Sequence, residues 1–312
     1  MKFIIALFIA RVVIADVAII PKATELLAVE SNRTGETLIV WNDDSVARAA
    51  VFTRAGLTQP FVIGTLGFWS GVAAASDGNE FLIVNDFNGS LRGTNFTIAN
   101  GSYPTYIERP AVAWNGTNYI VAATAHTYNA YNEQFASRTY LVSPSHEVTP
   151  LDPSISADRI ACDGGVCRFT FAGNHAIFAN GNPLDAESVS PSIGDVIFDG
   201  RTFVVAWQDG SKIVISRITR DGNVLDERIE IGRGRHPTLT SSIITWEDDQ
   251  SHIRAARLST LDEIPMPGDA IGTSPFAVKT YFGDAILYKR DDRIFLHAID
   301  AAPRRRIVSA GE

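Results

Sequence analysis

The chain alternates short apolar runs with polar turns, and the alternation repeats. FDGRTFVVAWQDG (198–210) places an Asp-Gly pair before an apolar run, a tryptophan after it, then Gln-Asp-Gly. The same order recurs in WNGTNYIVAATAH (114–126), SDGNEFLIVNDFNG (76–89) and SSIITWEDDQS (241–251). Aligned on the last position of the second apolar run, the series is Trp41, Asn85, Ala123, Phe171, Trp207, Trp246 and Lys289, with spacings of 44, 38, 48, 36, 39 and 43. A mean period of about 41 residues lies in the range of four-stranded propeller blades. Within each unit the second run is rich in Val, Ile, Phe and Tyr, as strands prefer. A third run follows in ARAAVF (47–52), KIVISRI (212–218), HIRAARL (252–258) and RIFLHAI (293–299), and a weaker fourth in RIEIG (228–232). Pro110, Pro191, Pro237 and Pro275 open units.

This pattern predicts an all-β chain: a seven-bladed β-propeller of four-stranded antiparallel blades, with six blades as the alternative because the units around Ala123 and Phe171 are the least regular. Inner strands are expected to be apolar on both faces and outer ones to alternate. The aligned tryptophans are expected to fill the wedges between blades. Asn115-Gly116, Asp77-Gly78, Asp199-Gly200 and Asp163-Gly164-Gly165 predict tight type I′ hairpins. Residues 16–20 (DVAII) form an orphan strand that would latch the ring, in competition with the tail APRRRIVSAGE (302–312). The phrases PAVAWNGTNYIVA (110–122) and DGRTFVVAWQDGSKIVISRITRDGNVLD (199–226) resemble the repeat of bacterial secreted and cell-surface β-propellers over roughly residues 25–300. The resemblance implies an extracytoplasmic repeat protein. It is almost silent on activity, because propellers host unrelated functions.

The first 15 residues read as a secretory signal: Lys2, an apolar stretch over 3–14, and Val13-Ile14-Ala15 at the cleavage site. Arg11 is a fault in that pattern, and a buried first strand is the alternative. Residues 16–312 are then a single propeller domain, secreted, periplasmic or on the cell surface. No later segment is long and apolar enough to span a membrane. Cleavage would remove Lys2, Arg11 and no acid, taking the formal charge from −8 to −10. Such acidity argues against a partner that tracks phosphates, so no nucleic acid is expected. A monomer is expected.

Cys162 and Cys167, the only cysteines, flank the Asp-Gly-Gly turn and are expected to form a hairpin disulfide. They cannot complete a metal site. The histidines (His126, His146, His175, His236, His252, His297) show no metal spacing, and no nucleophile-elbow, phosphate-loop or dinucleotide motif occurs. Five Asn-x-Ser/Thr triplets (Asn32, Asn88, Asn95, Asn100, Asn115) read as turn chemistry.

Candidate ligand residues gather on one predicted face. Asp43, Asp44, Asp86, Asp209, Asp248, Asp249, Asp291 and Asp292 follow the second strands. They serve the turns, or bind Ca²⁺, the one cofactor to weigh. The longer loop HTYNAYNEQF (126–135) adds His126, Tyr128, Tyr131 and Phe135, a composition suited to adaptable recognition. Arg233, Arg235 and His236 belong to a connection between blades on the same face. These features predict a binding module for a carbohydrate or a protein. The alternatives are a carbohydrate-active enzyme with acids at the channel mouth, or a purely structural repeat.

Overall fold

The computed structural model describes residues 16–66, 71–103, 105–128, 133–151, 155–173, 176–267 and 270–299. The segment read from sequence as a secretory signal (1–15), Tyr131, His175 and the tail 302–312 lie outside them. The described chain is all-β, without helix, and forms seven blades. The six-bladed alternative is therefore set aside. Blade 1 holds Glu25–Ser31, Thr37–Asp43 and Val46–Thr53, its outer edge shared by Gly56–Leu57 and Phe61–Thr65. Blade 2 holds Val72–Ser76, Phe81–Phe87, Ser90–Gly93 and Phe96–Ala99; blade 3 holds Thr105–Trp114, Tyr119–Tyr128, Glu133–Val142 and Val148–Pro150. Blade 4 comprises Arg159–Asp163, Val166–Ala172, Ile177–Ala179 and Asn182–Asp185; blade 5 comprises Pro191–Phe198, Phe203–Asp209, Lys212–Ile218 and Val224–Arg233. Blade 6 has Arg235–Leu239, Ile243–Glu247 and Ile253–Arg257, with irregular chain bridging at Glu263 and Ile271 along its outer edge.

Blade 7 closes the ring. Thr273–Thr280, Gly283–Arg290 and Arg293–Ala298 take Val17–Ile20 as their outermost strand. The N-terminal strand thus forms the latch. Asp16 pins it: Oδ1 lies 2.9 Å from His297 Nδ1, and Tyr288 donates its hydroxyl to Oδ2. Burial would raise the Asp16 pKa, but these two partners outweigh it and hold the carboxyl below its ordinary range.

The tryptophans fill wedges as expected. Trp41 packs on Val278 and Leu287 of blade 7, Trp207 on Ala161 and Ile177 of blade 4, and Trp246 on Val204 and Ile215 of blade 5. Each ring turns toward the preceding blade. The third strands depart from the expected alternation: Lys212–Ile218 is buried along most of both faces, because Val214 and Ile218 join the core shared with blade 4 and Ile213 and Ile215 the core shared with blade 6. Alternation weakens to an irregular, exposed pattern only in outermost strands such as Val224–Arg233.

The hairpin expectation holds in part. Gly164 and Gly165 both have positive φ, at 50° and 107°, as a type I′ turn requires. At Asp77, Asn115 and Asp199 only the following glycine does. There the Asx side chain organises a longer turn; Asp199 Oδ1, for example, accepts from Arg201 N and Thr202 N, each at 2.8 Å.

First strands line the axis and present one unpaired edge to it. In five blades they shift register near the same level, at Leu26/Ala28, Glu108/Ala111, Ile193/Asp195, Arg235/Thr238 and Thr273/Phe276. Pro110, Pro237 and Pro275 sit in these bulges, where a missing N–H costs no ladder bond.

Candidate functional site

One face carries the turns after the second strands and the connections between blades, and hydrogen bonds tie the two together. Gly210 N donates to Ser190 O at 3.3 Å, Gly234 N to Ser211 O at 2.8 Å and Gly272 N to Ser251 O at 2.8 Å. Gly234 is the sole residue between blades 5 and 6. A Cβ there would lie 2.0 Å from Glu247 O, so the connection requires glycine.

The acidic residues of this face are mostly engaged in holding it. Asp209 is buried; Oδ1 accepts from Val189 N at 2.7 Å and Ser190 N at 3.1 Å, and Arg228 donates to Oδ2. Burial pushes its pKa up, yet Arg228 and the two amides outweigh that and keep it below the ordinary value. Asp86 Oδ2 accepts from Gly71 N at 2.9 Å and Arg109 N at 3.3 Å, joining blades 2 and 3. Asp43 pairs with Lys22 at 3.1 Å and Arg48 at 2.9 Å. Asp248 Oδ1 caps its own turn through Gln250 N and His252 N, each at 2.9 Å. Asp291 occupies an exposed turn at φ 54°. Among the described residues no group of three His, Cys, Asp or Glu side chains is placed to hold a metal ion.

Arg233, Arg235 and His236 converge on the end of blade 6. Arg235 donates to Glu247 Oε1, His236 Nδ1 lies 3.5 Å from Oε2, and Trp246 Nε1 donates to Arg233 O at 3.1 Å. Glu247 is fully buried; burial would raise its pKa, and Arg235 with Ser251 reverses the shift. It stands one position beyond the aligned tryptophan and had no place among the acids picked from sequence.

Blade 3 differs. Its second and third strands run ten residues each, so the hairpin is long. Register pairs Tyr106 with His126 and His126 with Phe135, placing three rings in a row across one sheet face. The His126 ring stacks on Phe135 at 4.2 Å and 24°, and Tyr128 lies 3.9 Å from it by centroid. Below them Glu108 Oε1 meets His126 Nδ1 at 3.0 Å, both groups buried. Phe135 is 58% exposed. Glu108 and Tyr106 were not evident from sequence, since only the pairing of strands brings them to His126. The structure therefore joins His126, Tyr128 and Phe135, and separately Arg235 and His236. It leaves Asp43, Asp86, Asp209 and Asp291 in different blades.

The axis is a channel of 940 Å³ lined by first strands of all seven blades. Small residues such as Ala73, Ala111 and Ala161 contribute to the lining, together with the acids Glu25, Glu30, Asp163 and Asp195, of which Glu30 and Asp195 have raised pKa values. Burial pushes Glu30 up to about 8, the Asp195 carboxylate adding to the shift against the Ser31 amide. Burial pushes Asp195 up to about 6, although Arg159 and the amides of Leu239 and Val196 draw it back. The pair stands three blades apart, blade 1 against blade 5, across the ring. Arg159 Nε donates to Gly194 O at 3.1 Å beside Asp195.

The bonded Cys162 and Cys167 are direct cross-strand partners in blade 4, with Cα atoms 4.0 Å apart. Cys162 lies at the channel wall near the hairpin end.

No family model matches the chain, and no curated protein does. The fold is similar to the solved structure of a streptogramin B lyase, with 14% identity, a TM-score of 0.55, and coverage of 90% of this chain and 96% of that one. That likeness shows the β-propeller.

Proposed function

We propose that the protein is an extracytoplasmic binding module whose ligand, a carbohydrate or a protein segment, docks on the long hairpin of blade 3. The observation that carries this reading is Phe135: a large ring left 58% exposed, yet stacked on a histidine that a buried glutamate holds in place. A flat apolar surface fixed in advance loses little side-chain freedom on binding. The acids elsewhere on this face support the reading, since they are committed to loop amides and arginines. The disulfide is compatible with an oxidising compartment. Glycan and peptide arrays probed with wild type and Phe135→Ala test it. Saturable binding that the variant loses by about tenfold or more is expected; undiminished binding by the variant would place the ligand elsewhere.

A second reading, a carbohydrate-active enzyme, is favoured by the channel carboxyls, whose raised pKa values are of the kind found in general acids. The similar lyase shows only that such a ring can carry an activity. A broad glycosidase and polysaccharide-lyase screen separates the readings: turnover abolished by Glu30→Gln or Asp195→Asn would establish the enzyme.

A further inference from the structure

At the aligned position three blades place a tryptophan against the preceding blade, but blade 2 places Asn85 there. A pocket of 300 Å³ opens beside it, between blades 1 and 2. Ile63 and Gly64 of blade 1 form one wall, Asn85 and Phe87 another, and Arg92 stands at the rim. Asn85 is only 4% exposed, and its amide makes no hydrogen bond among the described residues, yet the amide is not sealed from solvent. Arg92 stacks its guanidinium over Phe87, 4.8 Å from the ring centroid. Stacking fixes the guanidinium plane and leaves its N–H fork unoccupied, for no acidic side chain among the described residues pairs with it. In a chain of formal charge −8, an unpaired cation beside an unpartnered amide is a marked local reversal.

We propose that this inter-blade pocket binds a small hydroxy-carboxylate of single-sugar size, such as a uronic acid. Arg92 takes the carboxylate through two parallel N–H bonds. The Asn85 amide, both donor and acceptor, meets a ring hydroxyl. The volume is at the small end of ligand pockets and suits one ring rather than an oligomer. The site is independent of the blade 3 hairpin, because the two share no residue.

Isothermal titration of the full chain with glucuronate, glucose and acetate tests the proposal. Saturable binding of glucuronate is expected, with glucose and acetate each weaker by about tenfold or more. Arg92→Gln, at an exposed position, should weaken glucuronate by a similar factor. Asn85→Trp should restore the wedge ring and abolish binding, and Asn85→Ala should weaken it without adding bulk. Thermal unfolding of each variant establishes that the ring is intact. Phe135→Ala should leave glucuronate binding unchanged. Absence of saturable binding at millimolar glucuronate overturns the proposal. Equal binding of glucose removes the role of Arg92, and equal binding of acetate removes that of Asn85. Undiminished binding by folded Asn85→Trp places the ligand in another site.

Discussion

Blade 5 and blade 3 follow one repeat and use it differently. In blade 5 the second strand carries Trp207, fully buried, and two positions further on Asp209 ties down the preceding connection through two amides and Arg228. In blade 3 the aligned position is Ala123, the strands continue upward, and the buried acid is Glu108 on the neighbouring strand, paired to His126. Where the large ring is present, the wedge is closed and the turn is clamped to the scaffold. Where it is absent, polar and aromatic side chains take the freed positions and reach the surface. Blade 2, with Asn85, is an intermediate case that leaves a pocket.

The sharpest way to break this contrast is Trp207→Ala. It should cost about 3–5 kcal/mol, read as a drop in the urea midpoint, because the emptied wedge cannot collapse between two sheets. A cost below about 1 kcal/mol would mean that the ring does not hold blades 4 and 5 together. Asp209→Ala comes next, at about 3 kcal/mol, since it strands two amides and an arginine. Asp291→Ala, in an exposed turn, should stay within about 0.5 kcal/mol, and equal costs would erase the distinction between clamp and turn.

Cross-wedge clamps and channel acids should also part in their response to pH. Asp209 and Glu247 have lowered pKa values, so their stabilisation is present above about pH 4 and is lost as pH falls through their folded values. Glu30 and Asp195 have raised values, so folding is penalised progressively as pH rises from about 4 through about 6 and about 8. Glu30→Gln should therefore flatten the loss of stability between about pH 4 and about pH 8, by about 2 kcal/mol once channel solvent is allowed for. An unchanged pH profile of thermal unfolding would show that Glu30 ionises freely. The Cys162–Cys167 disulfide closes only a short loop, so its reduction should lower stability by about 2 kcal/mol, measured as a shift in melting temperature with dithiothreitol. Smallest of all, Phe135→Ala should change stability by less than about 0.5 kcal/mol, because the ring is largely in solvent.

The order of strands, the period and the wedge role of Trp41, Trp207 and Trp246 were legible in the sequence, because each depends on contacts that recur at fixed spacing. The Cys162–Cys167 pairing was legible too, being local to one hairpin. Of the proposed ligand face, His126, Tyr128 and Phe135 were visible as an unusual loop, but Tyr106 and Glu108 were not. They reach the histidine only through strand pairing, about twenty residues back along the chain.

Periodicity by itself therefore determined the blades, since side chains that alternate toward two neighbouring sheets leave a repeated trace in one dimension. Tertiary structure alone decided that the N-terminal strand latches the ring, that Glu30 faces Asp195 across the axis, and that Asn85 and Arg92 share a pocket. The first two are meetings between distant blades; in the third, Asn85 and Arg92 are cross-strand partners within blade 2, and the pocket needs the wall that blade 1 supplies. Their electrostatics and burial arise only when the ring closes, so no local pattern records them.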